Sequence, residues 1–153
     1  NGNWKKTDPR IDRDVCAKQN ERHEGNMLNA IRIMKFWNSR RTAPAMPSYL
    51  LETMLLRYYI AKPTSASQYV DLEVPALLEC IHSTIYGSVF DLKGIQGDLN
   101  NLSLDERSKI FNRAYLDRLL ANEARKAETD GDHKKSIEKW KEIFGPEFPS
   151  YSE

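Results

Sequence analysis

The 153-residue sequence predicts an all-α fold, a compact bundle of about six helices. Apolar side chains recur at three- and four-residue intervals through most of the chain. Proline, glycine and capping residues cut it into six such segments, and no stretch alternates apolar and polar residues for long enough to build a sheet.

The first segment runs from Asp8 to Gly25: a cap residue stands before Pro9 at the first helical position, and glycine closes it. The second, Asn26 to Arg40, is rich in helix formers and continues until Thr42, Pro44 and Pro47 interrupt it. The third begins at Pro47 and Ser48 and ends at Ala61, ahead of Lys62 and Pro63. It is nearly all apolar, so it must lie centrally. After a PTSAS linker the fourth covers 70–87, with Leu77, Leu78, Ile81 and Ile85 at core spacing, Pro75 in a first turn and Gly87 as the stop. Residues 88–101, with their Gly and Asn, read as a loop with short extended pieces. Ser103 to Glu106 spell an S-x-x-E capping box, in which each side chain takes up the other's unpaired backbone N–H, and open a long fifth helix to about Asp130. Residues 131–145 make the sixth, with Ile137, Trp140, Ile143 and Phe144 on one side and Gly145 just past the end.

With 40% hydrophobic residues, residues 1–153 form one domain that can bury a core without staples. Cys16 and Cys80, 64 positions apart, make neither a metal spacing nor a disulfide framework, which points to a reduced cytoplasmic setting. No apolar run approaches the roughly 20 residues of a bilayer span, and no basic-then-apolar start resembles a signal peptide, so no membrane role is expected. The chain opens at Asn1 in a polar stretch that reads like the inside of a longer reading frame. Its net charge of +1 is unevenly spread: residues 1–62 carry 12 basic and 6 acidic side chains, residues 63–153 carry 11 and 16. The basic part suits an anionic ligand; a solvated surface accounts for the same count, since no run of five like charges occurs.

The second segment is apolar at Met27, Leu28, Ala30, Ile31, Ile33, Met34, Phe36 and Trp37, most of a helix circumference. Asn29, Arg32 and Lys35, at i, i+3 and i+6, form one narrow polar stripe on it. Two like charges on such a helix need a counter-charge, supplied either by acids of the protein or by a bound anion. The third segment offers both. Glu52 is an acid at i+4 from Ser48, and Ser48 lies in a first turn, where backbone N–H groups and the dipole favour phosphate. Tyr49 beside it has a flat face for a nucleobase. Lys35 and Ser48 would then read a triphosphate and Tyr49 the base. The alternative is purely structural: Lys35 snorkels, Arg32 pairs with Glu52, Ser48 caps its helix and Tyr49 packs.

The stretch IRIMKFWNSRRTAPAMPSYLLETMLL, residues 31–56, resembles the R-x-x-K-x-W and S-Y-x-L-E signature in the C-terminal helical domain of the oligoadenylate synthetase and cyclic GMP-AMP synthase superfamily, including its bacterial CD-NTase members. The final part, DLNNLSLDERSKIF and then ANEARKAETDGDHKKSIEKWKEIFG, is similar to the closing helices of bacterial members, with an acidic helix, a Gly-Asp turn and a W-x-x-I-F-G ending. The resemblance extends from about Trp4 to Phe148. It implies that Lys35 contacts the donor nucleotide's phosphates, Ser48 the triphosphate and Tyr49 the base, with Arg32 near the cleft. Such enzymes join nucleoside triphosphates, ATP and GTP among them, into cyclic or linear oligonucleotides, and in bacteria the products serve anti-phage signalling. Their Mg ions are held by a carboxylate triad in a preceding nucleotidyltransferase sheet, after a Gly-Ser turn. Gly87 and Ser88 followed by Asp98 imitate that spacing, but Asn100 stands at the second acidic position and the stretch follows a helix, so it reads as a decoy. The resemblance therefore implies a helical lobe without catalysis of its own, partnered by its own N-terminal catalytic domain and by a regulatory protein.

His23, His82 and His133 are scattered with no Cys or His at ligand spacing and read as structural or surface residues. Asp105, Glu106, Glu123, Glu128, Asp130 and Asp132 read as caps or solvated faces. No P-loop, Rossmann or nucleophile-elbow pattern is present. Two rival roles stand beside the nucleotide lobe. One is a free-standing helical module that binds protein or RNA through its basic face; the other is a ligand-free scaffold, which would give Arg32 and Lys35 buried acidic partners.

Overall fold

The structure, a computed structural model, describes residues 13–147. Six helices occupy them: α1 Arg13–Arg22, α2 Asn26–Asn38, α3 Ser48–Ala61, α4 Val70–Thr84, α5 Leu104–Thr129 and α6 His133–Phe144. The expected all-α bundle is what forms, and no strand occurs among the described residues beyond an isolated bridge between Phe90 and Asp98 in the 88–101 loop. Asp8, Pro9, Trp4 and Phe148 lie outside the described residues.

α3 is central, as its composition requires. Leu50, Leu51, Met54, Leu55, Leu56 and Tyr59 are buried, and the helix packs on α1, α2 and α4. α5 lies along α4 on one side and α6 on the other through Ile110 and through Ala114, Ala121, Ala124 and Ala127, whose small side chains let long helices approach closely. α2 faces α1, α3, α4 and α6, which buries Met27, Ala30, Ile31, Met34 and Trp37 and leaves Asn29, Arg32 and Lys35 exposed. The polar stripe expected on this helix is therefore its solvent edge. No described helix is long and apolar enough to cross a membrane.

Local signals act where expected at most helix ends. Ser103 and Glu106 form the reciprocal capping box, the hydroxyl accepting from Glu106 N at 3.1 Å and the carboxylate from Ser103 N at 2.8 Å. Asp132 caps α6 through Lys135 N, and Gly145 ends it with φ +97°. α4 starts at Val70, where the segment was read to start, but Pro75 then falls inside the helix and not in its first turn, and the helix ends at Thr84, ahead of Gly87. The reason is tertiary. Glu73 accepts from the Tyr59 hydroxyl at 2.7 Å and from Ser67 N at 3.1 Å, so helix entry is set by a buried carboxylate upstream of the proline. Pro75, the sixth residue of the helix, cannot make the backbone bond to the Asp71 carbonyl that another residue would make there. The buried Tyr59 phenol is held far above its ordinary pKa by desolvation and by that carboxylate.

His23 is fully buried and structural. Ala66 N donates to its Nδ1 at 2.9 Å and its Nε2 donates to the Tyr59 carbonyl at 2.9 Å, joining the end of α1 to α3 and the following loop. Asp98, in the imitation motif, accepts from Val89 N and Asn100 N, both at 2.9 Å, while Asn100 Nδ2 donates to the Ile85 and Gly87 carbonyls. These backbone donors hold the Asp98 carboxyl below its ordinary pKa and account for the motif as loop scaffolding.

Candidate functional site

The geometry of the site starts with the nine residues between α2 and α3. Asn38 Nδ2 donates to the Met46 carbonyl at 2.7 Å and Asn38 Oδ1 accepts from Met46 N at 3.0 Å, so one amide clamps the end of α2 to the approach of α3. From α5, Arg113 donates to the Trp37 carbonyl at 2.6 Å and to the Pro44 carbonyl at 2.7 Å. Pro47, in extended backbone, then starts α3, its carbonyl accepting from Leu50 N and Leu51 N. Ser48 thus enters on a short connection pinned at both ends.

Three of the side chains singled out in the sequence meet there. Glu52 Oε2 accepts from Ser48 Oγ at 3.0 Å and pairs with Lys35 Nζ at 2.7 Å, so an ammonium from α2 and a hydroxyl from α3 converge on one oxygen. The Lys35 side chain is 48% exposed and that of Glu52 22%. Glu52 thus takes Lys35, not Arg32, as partner; Arg32 is exposed and donates to Asn29 Oδ1 at 3.3 Å. The buried acidic partners that a ligand-free scaffold would supply are not what these two cations meet. The Ser48 hydroxyl reaches Glu52 and does not cap its own helix.

Arg32, Lys35 and Glu52 rim a groove of about 130 Å³ whose floor is Leu28, Ile31 and Leu56. Cys16 from α1 also borders it, its thiol pKa raised by burial and by the Glu52 charge, which makes it a poor nucleophile. Tyr49 is half-buried and packs against the core, outside this lining. The structure brings Arg32, Lys35 and Ser48 to one face of α2 and α3, with Tyr49 adjacent in sequence to Ser48.

A larger cavity, about 590 Å³, opens on the opposite face of α3, around Met54, Tyr58, Cys80 and Phe90. Its charged groups already have partners: Arg57 donates twice to the carbonyl of Phe90 on the same cavity wall, and Glu79 faces Arg118 at 4.0 Å. Burial pushes the Cys80 thiol up to about 11. Size alone does not make it the chemical site; the convergent charges are at α2 and α3.

Sequence reading missed the network that holds this face in place. Trp37 Nε1 donates to Asp117 Oδ2 at 2.8 Å, Arg113 Nε lies 3.7 Å from the same oxygen, and the guanidinium stands 3.8 Å from the Trp37 ring centre. A signal was present. Asp117 falls on the stripe of Ile110, Ala114, Ala121 and Ala124, a carboxylate at core spacing, with Arg113 four residues before it. Among the described residues no three His, Cys, Asp or Glu side chains gather as a metal-binding group.

Set against known proteins, the chain matches no family model. It is 40% identical over 152 residues to a protein of Bacillus cereus (strain VD146) named as a probable cyclic nucleotide synthase, a similarity that takes in 99% of this chain and 45% of that protein. The chain therefore spans less than half the length of the relative it matches.

Proposed function

We propose that this chain is the helical lobe of a CD-NTase-like nucleotidyltransferase that joins nucleoside triphosphates such as ATP and GTP into cyclic or linear oligonucleotides, and that α2 and α3 bind the phosphates of one substrate. The observation that carries this reading is the convergence of Lys35 and Ser48, from two helices, on the Glu52 carboxylate near the start of α3. An ammonium, a hydroxyl and the positive end of a helix are the donor set a polyphosphate takes. The naming of the Bacillus cereus relative as a probable cyclic nucleotide synthase supports the same class of chemistry. In this reading Lys35 and Ser48 hold the triphosphate, Arg32 adds positive potential at the groove, and Tyr49 turns its ring to the base. Signalling against phage and control by a regulatory protein belong to the same proposal.

Mg²⁺, when bound in the complete enzyme, supplies Lewis-acid stabilisation of the transferring phosphoryl group. In this reading its ligands are carboxylates of an N-terminal catalytic domain; among the described residues no three His, Cys, Asp or Glu side chains gather to hold it. The work of this lobe is to bind and orient, which converts a bimolecular encounter into a positioned one.

Titration of the full-length protein with ATP and GTP tests the reading. Lys35→Ala is expected to weaken binding by at least about tenfold, and Ser48→Ala by a few-fold, since a hydrogen bond to a charged group is worth more than a neutral one. Both variants should keep their melting temperature. Wild-type affinity in both removes the site assignment.

The basic balance of residues 1–62 favours a second reading, a module that binds RNA. RNA affinity falling steeply with salt, together with indifference to nucleotides, would place that reading first.

A further inference from the structure

We infer that Glu52 is an internal counter-anion of the phosphate site, holding Lys35 and Ser48 on one oxygen until a polyphosphate takes them. The inference rests on the reading that this face binds phosphates, and it adds how the empty site is held and how affinity is set.

The geometry makes the competition specific. A serine hydroxyl has one proton, and that of Ser48 is donated to Glu52 Oε2. To donate to a phosphate it must leave the carboxylate. Lys35 has three protons, so it can keep Glu52 and still reach an anion, but its charge is offset by the carboxylate 2.7 Å away. The two donors that a triphosphate needs are thus already gathered, by a group of the same sign and the same hydrogen-bonding character as the ligand. Gathering them limits the rotamer freedom that binding would otherwise remove. The carboxylate must in turn yield, and its surroundings allow it. Glu52 lines an open groove, and the pair's side chains are 48% and 22% exposed, so water can solvate the released carboxylate. A pair this exposed is worth no more than about a fivefold change in an equilibrium constant. Arg32 borders the same groove as a second cation for the displaced carboxylate or for the incoming anion.

A double-mutant cycle in the full-length protein tests this, with inorganic tripolyphosphate and ATP as probes in isothermal titration. Glu52→Gln keeps the shape and an acceptor oxygen but removes the charge. It is expected to tighten tripolyphosphate binding by about three- to fivefold. In a Lys35→Ala background the same change should give less than about a twofold gain, because the amide oxygen still accepts the Ser48 proton and the ion pair with the ammonium is already gone. An equal gain in both backgrounds overturns the proposal, since Glu52 would then act only through its field. Unchanged or weaker binding by Glu52→Gln, with Lys35→Ala still damaging, also overturns it but leaves the phosphate site standing. Binding indifferent to Lys35, or none by the wild type, overturns the site and the proposal together. Glu52→Ala gives the same comparison if the glutamine variant does not fold.

Discussion

Removing the Asp117 carboxylate should loosen the chain's core and, with it, the face proposed to bind phosphates. Trp37 is fully buried and its indole N–H has Asp117 Oδ2 as acceptor at 2.8 Å. The side chains of Arg113 and Asp117 are only 8% and 13% exposed. Desolvation pulls Arg113 down to about 10 and raises Asp117 above the ordinary carboxylate value, so both ions are held at a cost that their partners offset. Asp117→Ala strands the indole N–H and leaves a buried guanidinium without its counter-charge, and we expect a loss of about 3–4 kcal/mol. For a chain of this size that lowers the melting temperature by roughly 10 °C. Asp117→Asn keeps an acceptor for Trp37 and loses only the charge, so it should cost about half as much. Urea denaturation of the three proteins measures both differences. Asp117→Ala within about 1 kcal/mol of wild type would refute the reasoning, as that is the range of an exposed pair. Because Arg113 also holds the Pro44 carbonyl ahead of Ser48, the alanine variant should bind tripolyphosphate more weakly as well.

His82 stacks edge-on against Phe111 and Tyr115, and its Nε2 is buried without a hydrogen-bond partner. Desolvation, and then the Arg118 charge, lower its pKa from 6.5. The unfolded chain therefore binds the proton first, and stability should be full above that value and fall as pH drops through the window below it. His82→Phe should keep the ring contacts and lose that slope; equal slopes between about pH 7 and 5 in the two proteins would contradict this. Gly145 ends α6 at φ +97°, and a Cβ there would sit 3.2 Å from Arg40 Nε, whose guanidinium caps the helix at the Glu142 carbonyl. Gly145→Ala should cost about 2 kcal/mol in urea denaturation, and undiminished stability would show that the backbone relaxes there.

Legibility followed the range of the interaction. The stripe of Asn29, Arg32 and Lys35 was readable because helical period alone puts those residues on one line, and α2 shows them as its exposed edge. The capping box at Ser103 and the glycine stop at Gly145 were readable because both close bonds within a few residues. The place of Pro75 within α4 was not. Its position depends on Glu73 meeting Tyr59 and Ser67, and the Tyr59 contact spans 14 residues.

The amino-acid sequence by itself determined the helical class, the order of the six segments and which residues of α2 and α3 carry polar chemistry on apolar helices, since period, caps and breakers are local properties of the chain. Tertiary structure alone decided that Glu52 takes Lys35 and not Arg32, and that Trp37, Arg113 and Asp117 meet across 76 and 80 residues to hold the face on which Ser48 stands. Which charge reaches which depends on how helices rotate and cross. That is settled by packing Leu, Met and Ala side chains to interior density, and no spacing within one helix contains it.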